Sequence, residues 1–159
     1  MDQIDVQLLS ILQRDGRMTI SDLSKKLALS RPSVSERLRR LQERGVIQRF
    51  SATVSPKALG RDTQLFIQVS ELKRKPEEFE DFIEQNEDVL ECHRVTGPVS
   101  YFIKATVSGM DGLRMLVDEL IPYGNVNTSI ILKSPVENRM ITLYKNRPHK
   151  RPVFCVRTY

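Results

Sequence analysis

Residues 21–45, SDLSKKLALSRPSVSERLRRLQERG, constrain the fold more than any other stretch of the chain. Leu23 and Leu27 stand four apart, and Val34, Leu38 and Leu41 follow the i, i+4, i+7 spacing of a helix buried along one stripe. Between them, Ala28-Leu29 turns the chain. Ser30 is placed to cap the second helix, with Pro32 tolerated in its first turn and Gly45 as its stop. Thr19, followed three residues later by Asp22, has capping-box spacing and opens the first. Upstream, Ile4, Leu8, Leu9 and Ile11/Leu12 make another amphipathic stripe that ends at Asp15-Gly16. The sequence predicts three short helices around one core, the last two with the outline of a helix-turn-helix. Ala28 stands where a left-handed backbone would favour Gly or Asn, at a cost of about 1 kcal/mol.

With its apolar stripe inward, the third helix leaves Arg31, Ser33, Ser35, Glu36, Arg37, Arg39 and Arg40 outside. Guanidinium groups match guanine edges and phosphates with two parallel hydrogen bonds. Arg31, Ser33, Ser35 and Arg37 are therefore expected in a DNA major groove. Arg39, Arg40 and Arg44 are expected on phosphates, together with Thr19 and Ser21 at the start of the second helix.

The charge pattern agrees with a polyanionic partner for this end of the chain. Residues 1–62 carry 12 Lys/Arg against 7 Asp/Glu, residues 63–145 carry 9 against 13, and residues 146–159 carry 4 against none. No apolar run approaches the roughly 20 residues of a membrane span, and the N-terminus lacks the features of a signal peptide, so a cytoplasmic protein is expected. Cys92 and Cys155 have no paired spacing and read as free thiols. His93 and His149 are the only histidines, and Cys92-His93 would point to opposite faces of a strand. Neither a metal site, nor a cofactor, nor catalytic chemistry is expected from these residues, and no phosphate-loop, dinucleotide or nucleophile-elbow motif is present.

After a strand-like stretch, VIQRFSATV (46–54), and a turn-rich linker, SPKALGRD (55–62), the pattern changes. Leu65, Ile67 and Val69 alternate. Phe79, Phe82 and Ile83 share a helical face after Pro76. Residues 89–95, 101–107, 126–132 and 140–144 read as strands, and Leu113, Leu116, Val117 and Leu120 line a helix over 110–121. The order β-α-β-β-α-β plus a final strand predicts an α+β, ferredoxin-like domain with helices on one face of an antiparallel sheet. Its bare face predicts a homodimer. The expected division is 1–50 for the helix-turn-helix domain, which is winged-helix-like, 51–62 for a hinge strand and linker, 63–145 for the ferredoxin-like domain and 146–159 for a basic tail.

The segments IDVQLLSILQRDGRMTISDLSKKLALS, RLRRLQERGVIQRF, ECHRVTGPVSYFIKATV and VNTSIILKSPVE, in this order, resemble the Lrp/AsnC (leucine-responsive, feast/famine) family of transcription regulators. The resemblance implies an N-terminal DNA-binding domain, a hinge, and a C-terminal domain for oligomerisation and effector binding. It also implies dimers that assemble into octamers, and regulation of transcription in response to amino acids. In such proteins the turn after the second sheet strand often reads G-D-x-D-Y and borders the effector. Here Gly97 and Tyr101 match, while Pro98 and Ser100 stand in place of the two acids. Thr96, Gly97, Pro98, Ser100 and Tyr101, with Thr128 and Ser129, are the implied effector contacts. Pro98 offers no donor and Ser100 only a hydroxyl, where a carboxylate would hold an ammonium group. Two other readings stay open: a sirohaem-decarboxylase-like enzyme, and an architectural DNA-binding protein that needs no ligand.

Overall fold

The computed structural model describes residues 1–143. The basic tail, Tyr144, His149 and Cys155 lie outside the described residues. Two compact units divide the chain. One holds Met1–Ala52 and the described residues from Asn138 onward, and the other is Thr53–Glu137.

In the first unit, helices α1 (Gln3–Arg14), α2 (Ile20–Leu27) and α3 (Arg31–Glu43) each start at a capping side chain. Asp2 caps α1 in a reciprocal box with Asp5, the two backbone N–H groups donating to the opposite carboxylates at 2.8 and 3.0 Å. Thr19 Oγ1 accepts from the Asp22 N–H at 3.1 Å, and Ser30 Oγ accepts from the Ser33 N–H at 3.3 Å. These bonds satisfy donors that a helix start leaves open. Ala28 does sit in the left-handed region, at φ 52°. The tight turn forces it there, and the Leu29 N–H completes the closure by donating to the Ser24 carbonyl at 3.1 Å. Leu8, Leu12, Leu23, Val34 and Leu41 form the buried core of this unit.

The second unit follows the order β1 (Thr63–Ser70), α4 (Pro76–Gln85), β2 (Val89–Arg94), β3 (Val99–Val107), α5 (Gly109–Leu120), β4 (Asn125–Ile130). The strands form one antiparallel sheet in the order β2-β3-β1-β4. Side chains alternate across a pleated strand. Leu65, Ile67 and Val69 of β1 and Tyr101, Ile103, Ala105 and Val107 of β3 therefore turn to one face, where they bury against Phe79, Ile83, Leu113, Leu116 and Leu120 of the helices. The opposite face keeps Phe66 and Phe102 uncovered, at 48% and 40% exposure. These two are diagonal neighbours, since Phe66 pairs with Lys104 and Phe102 with Gln68.

Two expected strands are absent. Residues 46–54 form no ladder, and Val46, Phe50 and Val54 are exposed. A strand exists only where a second strand supplies hydrogen bonds. Here the N–H groups of Val46 and Ile47 instead donate to the Leu41 carbonyl at 2.9 and 3.1 Å, closing the end of α3. Residues 140–143 likewise form no strand. Ile141 is held by a side chain: its N–H donates to Gln13 Oε1 at 2.8 Å, and Gln13 Nε2 donates to its carbonyl at 2.9 Å.

Candidate nucleic-acid interface and the β2–β3 turn

The expected contacts on α3 separate into bound and free groups. Arg37 is the most firmly held of them. Its Nη1 lies 2.7 Å from both Asp2 Oδ2 and Asp5 Oδ1, and its side chain is only 20% exposed. It points to the flank beside α1, where it joins the cap of one helix to the middle of another. In the free chain its guanidinium is thus engaged by α1. The Asp5 N–H, followed by Arg37, holds the Asp2 carboxyl below the usual carboxylate range. Burial pushes Asp5 up, but the Asp2 N–H and Arg37 outweigh it, and the net shift is also downward.

Carboxyls depressed in the folded state contribute stability above their unfolded pKa of about 4, and that contribution is lost as pH falls through the lower folded values. Arg37→Ala is accordingly expected to lower the thermal midpoint at neutral pH by on the order of 5 °C. The gap should close as pH falls through the lowered folded values, where the acids become neutral in both states. Circular-dichroism melts across pH check both parts, and a constant gap would show that the carboxylates are not the partners that matter.

Arg31 is tied down more lightly, its Nη2 donating to Ser21 Oγ at 3.0 Å and linking α3 to α2. Ser21 and Arg31 thus hold each other in the free protein. Thr19 is occupied as a cap and also donates its hydroxyl to Asp22 Oδ2 at 2.6 Å. Ser33 is exposed next to Ser30, their hydroxyls 3.0 Å apart, and Ser35 is exposed on the same helix. Arg39 lies between Glu36 and Glu43. Arg40 and Arg44 are exposed and have no ion pair among the described residues. Both line a shallow hollow with Arg37, Leu41, Asp5, Asp2 and Met1.

Two groups were not singled out in the sequence. Arg17, Lys25 and Lys26 border a second hollow with Thr19 and Asp22 beside the start of α2. The Lys25-Lys26 pair on the outer side of a short helix was the available signal. Glu36 is exposed on α3 beside Arg39.

In the second unit, the turn joining β2 to β3 is closed by the Val95 N–H donating to the Ser100 carbonyl at 3.0 Å. Gly97 adopts φ 114°, a conformation that L side chains rarely take, so the turn requires glycine there. Thr96 and Pro98 are exposed, and Ser100 is half-buried. Tyr101 corrects the expected site. Its ring is 1% exposed in the core, with its centroid 4.6 Å from that of Phe79, and its hydroxyl donates to Glu80 Oε1. Burial, then Glu80, pushes the phenol up to about 12. Tyr101 anchors the turn from within the core.

Thr128 and Ser129 lie on β4, at the opposite edge of the sheet from β2. With β1 between them, β3 and β4 are about 10 Å apart. The β2–β3 turn and the Thr128-Ser129 pair thus belong to opposite edges of the sheet.

A helix-turn-helix with a basic outer helix, joined to a separate αβ unit, defines a DNA-binding regulator of two modules. Comparison with known proteins agrees. A family model for winged helix-turn-helix DNA-binding matches residues 1–48, and the Lrp/AsnC ligand binding domain matches residues 64–141. The HTH-type transcriptional regulator YezC of Bacillus subtilis is 36% identical over 84% of this chain and 95% of its own length. The leucine-responsive regulatory protein of Escherichia coli is 35% identical over 76% of each chain. Among solved structures, a transcriptional regulator from Neisseria meningitidis in complex with L-Met is 30% identical, covers 86% of this chain and 93% of its own, and superposes with a TM-score of 0.81. The chain belongs to the Lrp/AsnC family of transcription regulators. Among the described residues, no helix is long and apolar enough to cross a membrane.

Proposed function

We propose that the chain binds double-stranded DNA as a homodimer, placing the outer face of α3 from each copy in successive major-groove segments. The observation that carries this reading is the exposed guanidinium of Arg40 on the longer helix of a helix-turn-helix, with that of Arg44 at the helix's C-terminal cap. Ser33, Ser35 and Arg39 are exposed elsewhere around the same helix, and Thr19, Ser21 and Arg31 lie toward its start. The dimer is supported by the uncovered Phe66 and Phe102; assembly to octamers rests on the family resemblance alone. A cytoplasmic location follows from DNA as the partner. The test is selection of bound duplexes from a randomised pool by the full chain. An enriched motif with two half-sites about one helical turn apart supports the reading. Equal affinity for selected and random duplexes would point to an architectural protein.

The effector is proposed as a small molecule held between chains, by Thr96, Gly97, Pro98 and Ser100 of one turn and Thr128 and Ser129 of another copy. The relative that binds L-Met supports an amino acid or a similar metabolite. No carboxylate stands in the turn itself to hold an ammonium group, so a ligand without one fits these residues better. Thermal-shift panels of amino acids and of their keto-acid counterparts check this point. The expected result is stabilisation by members lacking the ammonium group, and stabilisation by amino acids alone would reverse it.

A further inference from the structure

The outer face of α3 is not uniformly basic. Arg39 is gripped from both sides by acids on its own helix. Its Nε and Nη2 donate to the two carboxylate oxygens of Glu36 at 3.0 and 2.7 Å, and its Nη1 donates to Glu43 Oε1. The three side chains are 58%, 53% and 56% exposed for Arg39, Glu36 and Glu43, and together they carry one net negative charge. Exposed pairs of this kind contribute little to folding, so stability does not explain two acids on a surface that must approach phosphates. Glu36 is also well placed to read sequence. It lies five residues from the start of α3, roughly 7.5 Å along the axis. That is within the part of a recognition helix that reaches base edges.

We propose that Glu36 is a specificity-determining residue, accepting a hydrogen bond from a cytosine amino group in the major groove, and that its bridge to Arg39 weakens binding to DNA of other sequence. This rests on the DNA-binding reading above. A carboxylate offers acceptors only, and the cytosine N4 amino group is the base-edge donor it fits. At other base pairs the carboxylate meets no amino donor, faces phosphate repulsion and keeps its hold on Arg39, a penalty that separates right from wrong sites. While Glu36 and Glu43 hold Arg39, its charge is withheld from phosphates of any sequence.

The test compares the full-length protein with its Glu36→Gln, Glu36→Ala and Glu43→Gln variants, using duplex selection and then titrations of a selected and a random duplex over a range of salt. Wild type should enrich cytosine at one position of each half-site, and replacing that base should cost about 5- to 100-fold in affinity. Glu36→Gln should shift that position to adenine, which an amide reads, and Glu36→Ala should lose the preference. Both should bind random duplex several-fold tighter, with a salt slope steeper by about 0.9 as Arg39 reaches a phosphate. Glu43→Gln should tighten random binding and keep the motif. An unchanged motif in both Glu36 variants, or unchanged random-duplex affinity, overturns the proposal while leaving the regulator reading intact. A wild type that selects no motif overturns both.

Discussion

Replacing Phe66 and Phe102 together with glutamate is expected to dissociate the protein into folded monomers and to weaken DNA binding by about a hundredfold. Both residues stand on the sheet face opposite the helices, and neither belongs to the core beneath. Returning such a side chain from an interface to water costs about 1.5–3 kcal/mol, before any penalty for enclosing a charge. In a two-fold interface each substitution occurs twice, so four carboxylates would meet across it. The helical content of the monomer should be retained, because the substitutions point away from α4 and α5. The DNA term follows from tethering: two linked α3 helices bind with an effective concentration that separate monomers lack. Sedimentation velocity and anisotropy titration read the two parts. An unchanged sedimentation coefficient would show that another surface holds the copies together.

For Arg40→Ala, DNA affinity should fall about tenfold, with a salt slope shallower by about 0.9 per chain and an unchanged thermal midpoint. Arg40 is the sharper probe because it is exposed and has no ion pair among the described residues, so its loss leaves no orphaned carboxylate. Arg37→Ala should do the reverse, lowering stability first and affecting DNA only through the position of α3. The two arginines are three residues apart on one helix, and only their surroundings distinguish them. Equal effects of both substitutions on affinity, with no loss of stability in either, would return Arg37 to the DNA surface.

Much of this molecule was legible along the chain. The helices of the first unit begin where Asp2, Thr19 and Ser30 cap them. The left-handed strain at Ala28 was readable from the turn it had to make. The order of strands and helices in the second unit followed from a change of apolar period at Leu65 and again at Phe79. Such features depend on hydrogen bonds and contacts within a few residues, so a linear pattern records them.

The sequence by itself determined the five helices and four sheet strands of the described residues and the faces they bury, and it marked one helix as basic. The tertiary structure decided which partners Arg37 and Arg31 meet on other helices. Arg37 is neutralised by Asp2 and Asp5 more than 30 residues away, and Arg31 is taken by Ser21, ten residues back. It also decided that 46–54 and 140–143 remain without a ladder, that Tyr101 turns inward to Glu80, and that Thr128 sits across the sheet from the turn at Gly97. Most of these outcomes rest on partners distant in sequence. Periodicity says which way a side chain or strand can face, and only the folded chain supplies what it meets there.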